Sequence, residues 1–222
     1  MTPEDANWFE VRDLSLARGQ RVLLDRLNFS LVPGDAVLLQ GPNGSGKSSL
    51  LRALLGLSPA AGTIRFEDQA FTPASGKLCR HALYQGHATG LKGELDAFEN
   101  LALAAALDGN PADDESLRAA LQTTGLAREA RIACRRLSQG QKQRLVLARL
   151  ALANQHPALS RPLWLLDEPS AALDRSGATM LDALLASHLG RGGAAVVATH
   201  LPMLGSEDAT RIGPGPRRID LG

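Results

Sequence analysis

The chain has 222 residues and a mass of 23.5 kDa, long enough for one large α/β domain. Hydrophobic residues make up 44% and charged residues 21%, which excludes wholesale disorder, and a net charge of +1 excludes a global pull toward nucleic acid or anionic lipid. The longest apolar runs, Leu101 to Leu107 and Ala194 to Ala198, fall far short of the ~18 residues of a membrane span. The opening Met-Thr-Pro-Glu-Asp has neither a basic region nor an apolar stretch behind it, so no secretory signal is expected. Cys79 and Cys134 have neither metal spacing nor a disulfide framework, so a reducing cytosolic setting is expected.

The first 35 residues read as antiparallel strands, with Leu27, Phe29 and Leu31 alternating with Asn28 and Ser30. Pro33-Gly34-Asp35 is a turn, and Ala36 to Leu39 is a short apolar run of the kind buried on both faces of a sheet. Leu50, Leu51, Leu54 and Leu55 fall on one helical face, which Gly56 to Pro59 ends. Residues 60 to 82 hold short strands broken by Gly and Pro. Residues 94 to 154 are Ala- and Leu-rich with helical period and a break near Gly109-Asn110-Pro111, so a helical subdomain inserted at about 88 to 154 is expected. Strand signals return at Leu163 to Leu166 and Ala194 to Thr199, with a helix from Ser176 to Leu189 between them. The tail, Arg211-Ile212 and Arg218-Ile219-Asp220 around Gly213-Pro214-Gly215-Pro216, predicts a small hairpin.

Between the buried strand and the first helix lies Gly41-Pro42-Asn43-Gly44-Ser45-Gly46-Lys47-Ser48-Ser49, which fits G-x-x-x-x-G-K-[ST]. Glycines let successive backbone N–H groups turn inward as an anion nest, and the helix that follows points its positive end at the anion. Lys47 is one of only four lysines in an Arg-rich chain, and it adds a point charge for β- and γ-phosphates. Ser48 offers a hydroxyl to Mg²⁺. The plain alternative is a Gly-rich turn before an ordinary helix.

Leu163-Trp164-Leu165-Leu166-Asp167-Glu168 is a buried strand that ends in two acids. Ligands sit at the carboxyl ends of strands in open parallel sheets, which places Asp167 to hold Mg²⁺ beside Ser48. Glu168 is the candidate to polarise an attacking water. Taken without the phosphate loop, the pair would read as solvated acids at a strand end; with it, the metal reading prevails.

Arg136-Leu137-Ser138-Gln139-Gly140-Gln141-Lys142-Gln143-Arg144 precedes a long apolar helix. Here the sequence resembles the ABC transporter ATPases, whose signature is Leu-Ser-Gly-Gly-Gln; Gln139 stands where the first Gly of the pair is usual. Ser138 can cap the helix and Gly140 permits close backbone approach. The resemblance extends over essentially the whole chain. Ser170-Ala171-Ala172-Leu173-Asp174 looks like the family's D-loop, with Ala171 where Ser is usual, and Ala198-Thr199-His200 looks like its switch histidine. It implies a single α/β P-loop ATPase domain over residues 1 to 222, with an antiparallel subdomain and the helical insertion. ATP and Mg²⁺ are the expected cofactors. Glu168, His200 and Lys47 carry hydrolysis, His200 sensing the γ-phosphate. Ser138, Gly140 and Gln141 meet ATP held by a second copy in a head-to-tail homodimer.

Two positions depart from the family. Arg18 stands where an aromatic usually stacks on adenine; a guanidinium can stack on a base, so weak base selectivity is expected. The next strand usually ends in a Gln that senses Mg²⁺; counting back from Glu99-Asn100 reaches His87, with Gln85 two residues early, so that role falls to His87 or to no residue. The stretch Tyr84-Gln85-Gly86-His87-Ala88-Thr89-Gly90-Leu91-Lys92-Gly93-Glu94-Leu95, followed by Glu99-Asn100-Leu101, resembles the ATP-binding subunits of haem exporters in cytochrome c maturation. Those subunits have no accessory C-terminal domain, and none is expected here.

This resemblance implies a peripheral subunit at the cytoplasmic face of the inner membrane. Its partners would be the multi-span integral membrane component of the exporter and associated cytochrome c maturation proteins. Contact with that membrane component is expected at His87 to Asn100, where Leu91, Leu95 and Phe98 could fill a groove. Nucleic acid is not expected as a partner, and the basic cluster Arg128, Arg131, Arg135, Arg136, Lys142 and Arg144 reads as a solvated face with phosphate and partner contacts available. Two alternatives remain open: an ABC ATPase for another substrate, and a soluble family member acting on DNA or ribosomes.

Overall fold

The computed structural model describes residues 8–109, 111–155, 161–200 and 217–221. The chain divides into two units, Met1–His87 with Arg161–Pro169 and His188–Gly222, and Ala88–Ser160 with Ser170–Ser187.

The first unit contains two sheets. Strands β1 (Phe9–Arg18), β2 (Arg21–Leu31), β4 (Ala61–Phe66) and β5 (Gln69–Phe71) form an antiparallel sheet in the order β2-β1-β4-β5. Alternation buries Phe9 and Val11, an irregularity at Asp13 shifts the register, and Leu14 and Leu16 are then buried, while Asn28 stays exposed. The second sheet is parallel, in the order β6-β7-β8-β3-β9, with β3 Ala36–Gln40, β6 Ala82–Gln85, β7 Leu163–Asp167, β8 Ala194–Ala198 and β9 Arg217–Asp220. Every residue of β7 and β8 is buried, which is why both read as unbroken apolar runs and not as alternating ones. Helix α1 (Lys47–Leu54) buries Leu50, Leu51 and Leu54 in the same core as Val37, Leu165 and Val196.

Of the expected tail hairpin, only the second arm lies among the described residues. Residues 217–220 form β9, which pairs in parallel with β3, Val37 opposite Arg217 and Gln40 opposite Asp220. Among the described residues this strand stands at the edge of the parallel sheet, and Leu221 N donates to Gln40 O at 2.8 Å. Arg211, Ile212 and the Gly-Pro repeat lie outside the described residues.

His188 is 4% exposed and stacks on Trp164, ring centroids 4.0 Å apart and planes 10° off parallel. Its Nε2 is 3.1 Å from Ala194 O. Burial holds its pKa down at about 4; the Ala194 carbonyl opposes that shift and Arg191 adds to it. An unfolded ring takes up its proton near 6.5, so between these values the unfolded state binds more protons. Stability is therefore complete above pH ~6.5 and falls by about 3 kcal/mol as pH drops toward 4. Urea unfolding at pH 7 and pH 4.5 checks this. His188→Phe, which keeps the stack, is expected to flatten the pH dependence; an equal fall in both proteins would assign it elsewhere.

The second unit is helical: α2 (Ala97–Leu107), α3 (Asp114–Thr123), α4 (Gln139–Gln155) and most of α5 (Arg175–Gly190). Asp96 caps α2 in a reciprocal box with Glu99, and Asp113 caps α3 by accepting from Ser116 N at 2.7 Å. Asn100 is buried, and its amide donates to Leu95 O and Asp96 O and exchanges bonds with the backbone of Lys92. Asp108 of the α2 C-terminus pairs with Arg149 of α4 at 2.7 Å.

Phe98 is 8% exposed, with the Arg131 guanidinium 4.5 Å and that of Arg118 5.6 Å from its ring centroid. The expected docking role therefore does not extend to Phe98: two cations already cover its face. Leu91 and Leu95 are half-buried. No helix among the described residues is long and apolar enough to cross a membrane.

Candidate functional site

In the first unit, the loop Gly41–Gly46 leaves the carboxyl end of β3 and enters α1. Gly46 is the N-cap with φ 104°, and no side chain caps the helix. The first helical bond runs from Leu50 N to Gly46 O at 2.7 Å, so the N–H groups of Lys47, Ser48 and Ser49 have no acceptor within the helix. Gly41 has φ 142°, and a Cβ there would stand 2.2 Å from Leu221 O. Only glycine fits between the loop and the tail strand. Pro42, Asn43 and Gly44 form the exposed rim; Ser45 Oγ is buried and has no hydrogen-bond partner.

Lys47 is 7% exposed, and its Nζ donates to Gly41 O at 2.6 Å and Pro42 O at 3.1 Å. The ammonium is held inside the loop by two carbonyls, with no acid among those contacts. That leaves its full charge available to an anion entering the nest.

Asp167 closes β7 and is 2% exposed. Its Oδ1 accepts from Ser48 Oγ at 2.9 Å, and its Oδ2 is buried with no partner. Strand β8 separates β3 from β7, so this bond spans one intervening strand at the carboxyl edge of the sheet. A hydroxyl and a carboxylate with one orphaned oxygen are hard oxygen donors, the set that a Mg²⁺ ion accepts. The site fits that ion, with Ser48 and Asp167 to hold it and waters or phosphate oxygens to complete it.

Glu168 follows in the left-handed region at φ 51°, and its N–H donates to Ala198 O at 2.8 Å. His200 Nδ1 stands 2.9 Å from Glu168 Oε2, at an angle that makes no hydrogen bond, so Oε2 keeps a lone pair without a donor. The contact is electrostatic when the ring is protonated. Thr199, fully buried, leads into His200 and donates its N–H to Leu39 O at 3.1 Å.

Strand β6 ends on Gln85, which is buried and donates from Nε2 to Gly86 O at 2.8 Å; His87 lies two residues beyond the strand and is exposed. Arg18 is exposed at the end of the β1–β2 hairpin, opposite Arg21. The hairpin runs back past the phosphate loop: a Cβ on Gly46 would stand 3.4 Å from Leu23 Cβ.

The signature stretch lies in the second unit. Ser138 Oγ accepts from Gln141 N at 3.2 Å, and Gln141 Oε1 accepts from Ser138 N at 2.9 Å, a capping box that starts α4. Gln141 Nε2 also donates to Glu129 Oε1 at 3.2 Å. Gln139 and Ser138 are exposed and Gly140 is half-buried. The basic cluster is more than a solvated face: Arg131 pairs with Asp96 and Arg144 with Asp174. The sequence places Ser170 and Asp174 in the D-loop stretch but does not show that the Ser170 Oγ is buried without a partner or that Arg144 ties to Asp174. For Asp174 a signal existed, an acid immediately before a helix start.

Residues 24–171 match the ABC transporter family. The chain is 44% identical over 192 residues to the cytochrome c biogenesis ATP-binding export protein CcmA of Pseudomonas aeruginosa, covering 86% of this chain and 92% of that one. Among solved structures, it superposes with a TM-score of 0.77 on a putative ABC transporter ATP-binding protein from Pyrococcus furiosus, at 20% identity and 96% coverage of both chains. It superposes at 0.72 on an ATP-binding cassette captured as a dimer in a post-hydrolysis state with ADP and Pi, at 25% identity over 87% of this chain and 88% of the other.

Proposed function

This chain belongs to the ABC transporter family and is an ATP-hydrolysing subunit of it; from that premise we propose that it powers haem delivery in cytochrome c maturation. The observation that carries the chemistry is the 2.9 Å bond from Ser48 to an Asp167 whose second oxygen has no partner, at the carboxyl edge of a parallel sheet. The identity to a cytochrome c biogenesis export protein over 86% of the chain supports the process.

In this reading residues 1 to 222 form one ATPase domain with a helical insertion at about 88 to 154. The backbone N–H groups of Gly41 to Ser49 and the Lys47 ammonium hold the β- and γ-phosphates. Ser48 and Asp167 hold Mg²⁺, which when bound neutralises charge on the phosphate oxygens. Glu168 accepts a proton from the attacking water, and His200 holds the far side of that water or the γ-phosphate. Arg18 lies at the base end of the nucleotide, and His87, with Gln85 behind it, lies where a sensor of the bound ion is expected. Ser138, Gly140 and Gln141 present the start of α4 to the γ-phosphate of ATP bound by a second copy, so two chains act as a head-to-tail dimer. Closure on ATP and opening after hydrolysis move a CcmB-like integral membrane component of the exporter at the cytoplasmic face of the inner membrane, in company with other cytochrome c maturation proteins.

The test is made in cells. With the Lys47→Ala form as the sole copy, c-type cytochromes should lose covalent haem, read by peroxidase stain of whole-cell protein, while the wild-type copy restores it. Normal cytochrome c in cells lacking this chain would assign the ATPase to another cargo.

A further inference from the structure

Within the second unit, Arg144 of α4 reaches across to the residues that start α5. Its Nη2 lies 3.1 and 3.0 Å from the two carboxylate oxygens of Asp174 and 2.6 Å from Ser176 Oγ. Asp174 in turn accepts from Gly177 N at 2.8 Å, as a helix cap does, and from Ser176 Oγ at 3.0 Å. The Gly177 N–H, the Ser176 hydroxyl and the Arg144 guanidinium, in that order, hold the Asp174 carboxyl below its usual range. The Arg144 side chain is only 24% exposed, and Nη1 passes 3.1 Å from where a Cβ on Gly125 would stand. One guanidinium therefore ties the second turn of α4 to the start of α5 and packs beside the turn after α3.

What this joint holds in place is the segment just before Asp174. Leu173 N donates to Ser170 O at 3.2 Å, and Ala172 sits in the left-handed region at φ 60°. Left-handed alanine is uphill by roughly 1 kcal/mol or more and persists only where neighbours fix it. Its carbonyl oxygen lies 4.0 Å from where a Cβ on Gly140 would stand. Gly140 and Ala172 are thus adjacent backbones, and Arg144 with Asp174 is a charged tie beside them.

We propose that Arg144 is a positioning residue that locks the turn Ser170–Leu173 to the first turns of α4, so that Gly140 and the turn meet the second copy's nucleotide as one rigid surface. The proposal rests on the reading of Ser138, Gly140 and Gln141 as the surface that meets a second copy's ATP. Arg144 touches no phosphate itself. Without it the turn samples other arrangements, and only a fraction of molecules is ready to close on nucleotide. Apparent affinity falls by that fraction, and saturating ATP restores the ready state.

The experiment follows turnover of the full chain against Mg-ATP concentration, beside thermal melting. Arg144→Ala should raise KM for ATP about tenfold with kcat within about twofold. Asp174→Ser keeps a helix-capping side chain but removes the ion pair, and should show the same KM rise. The Arg144→Ala/Asp174→Ser double variant should be no worse than Arg144→Ala alone, because Arg144→Ala already removes the ion pair. Arg144→Lys should recover part of the effect, since an ammonium supplies charge without the planar fork. A lowered Tm with unchanged KM, or effects of the two substitutions that multiply, would overturn the positioning role. Absence of turnover in the wild-type chain would instead take down the ATPase reading itself, and the proposal with it.

Discussion

Replacing Lys47 by Ala should cut Mg-ATP turnover by about a hundredfold or more, on the order of 3 kcal/mol of lost stabilisation as charge develops on the transferring group. The size follows from where the ammonium sits. Lys47 is 7% exposed and is held by the carbonyls of Gly41 and Pro42, inside the loop proposed to cradle the phosphates. It supplies a full charge in a site largely closed to water, where a charge acts more strongly than at the surface. The cost to folding is smaller, about 1 kcal/mol for two hydrogen bonds to backbone that water can partly replace. Phosphate release and melting measured on one preparation separate the two: turnover should collapse while Tm moves little. A variant with undiminished turnover at saturating Mg-ATP would remove Lys47 from the chemistry and undo the phosphate-loop assignment.

Glu168→Gln should bind ATP as the wild type does and hydrolyse it 10²- to 10⁴-fold more slowly, the range that general-base catalysis spans. The substitution preserves shape. Glu168 holds its left-handed backbone at φ 51° through its N–H bond to Ala198 O, and neither depends on the side-chain charge. What would be lost is the proposed proton acceptor: Oε2 has a lone pair without a donor, beside His200 at 2.9 Å. An amide can accept a hydrogen bond from water but cannot take its proton. Single-turnover hydrolysis with labelled ATP, beside equilibrium binding, checks the split. A variant that loses binding and turnover together would make Glu168 a structural residue of the site.

The parts of the site that are legible in the sequence are those whose geometry is local. Nine consecutive residues from Gly41 to Ser49 fix the turn, the exposed N–H groups and the lysine, because each depends on neighbours within one helical turn. Asp167 is legible for a related reason: a fully buried strand can end only at the sheet edge, and its last side chain must face that edge. Their meeting, Ser48 with Asp167 across 119 residues of sequence, follows from the carboxyl-edge rule for parallel strands.

What sequence does not supply is pairing between distant segments that carry no pattern of their own. Residues 217–220 are mostly polar and exposed, and nothing in Arg-Arg-Ile-Asp says that they add to β3 in parallel. Phe98 has the look of an apolar anchor for a partner; whether a guanidinium covers it depends on how α3 and the residue 128–136 stretch lie, which spacing along α2 does not encode. Arg144 belongs to a basic run in the sequence, and its partner stands 30 residues away. Gln85 and His87 show the limit in a single stretch: counting residues selects His87, while the buried end of β6 is Gln85, because a count fixes distance along the chain and burial fixes which side chain the strand holds.

In the proposed dimer, the phosphate loop of one copy and the signature of another close on the same ATP. Sedimentation velocity on Glu168→Gln, with Mg-ATP and without nucleotide, tests it most directly, because slow hydrolysis holds the closed form. The account predicts a monomer without nucleotide, a dimer with Mg-ATP, and loss of that dimer when Ser138→Arg is added to block the signature. A protein that binds Mg-ATP and stays monomeric, or dimerises equally with the signature blocked, would contradict it.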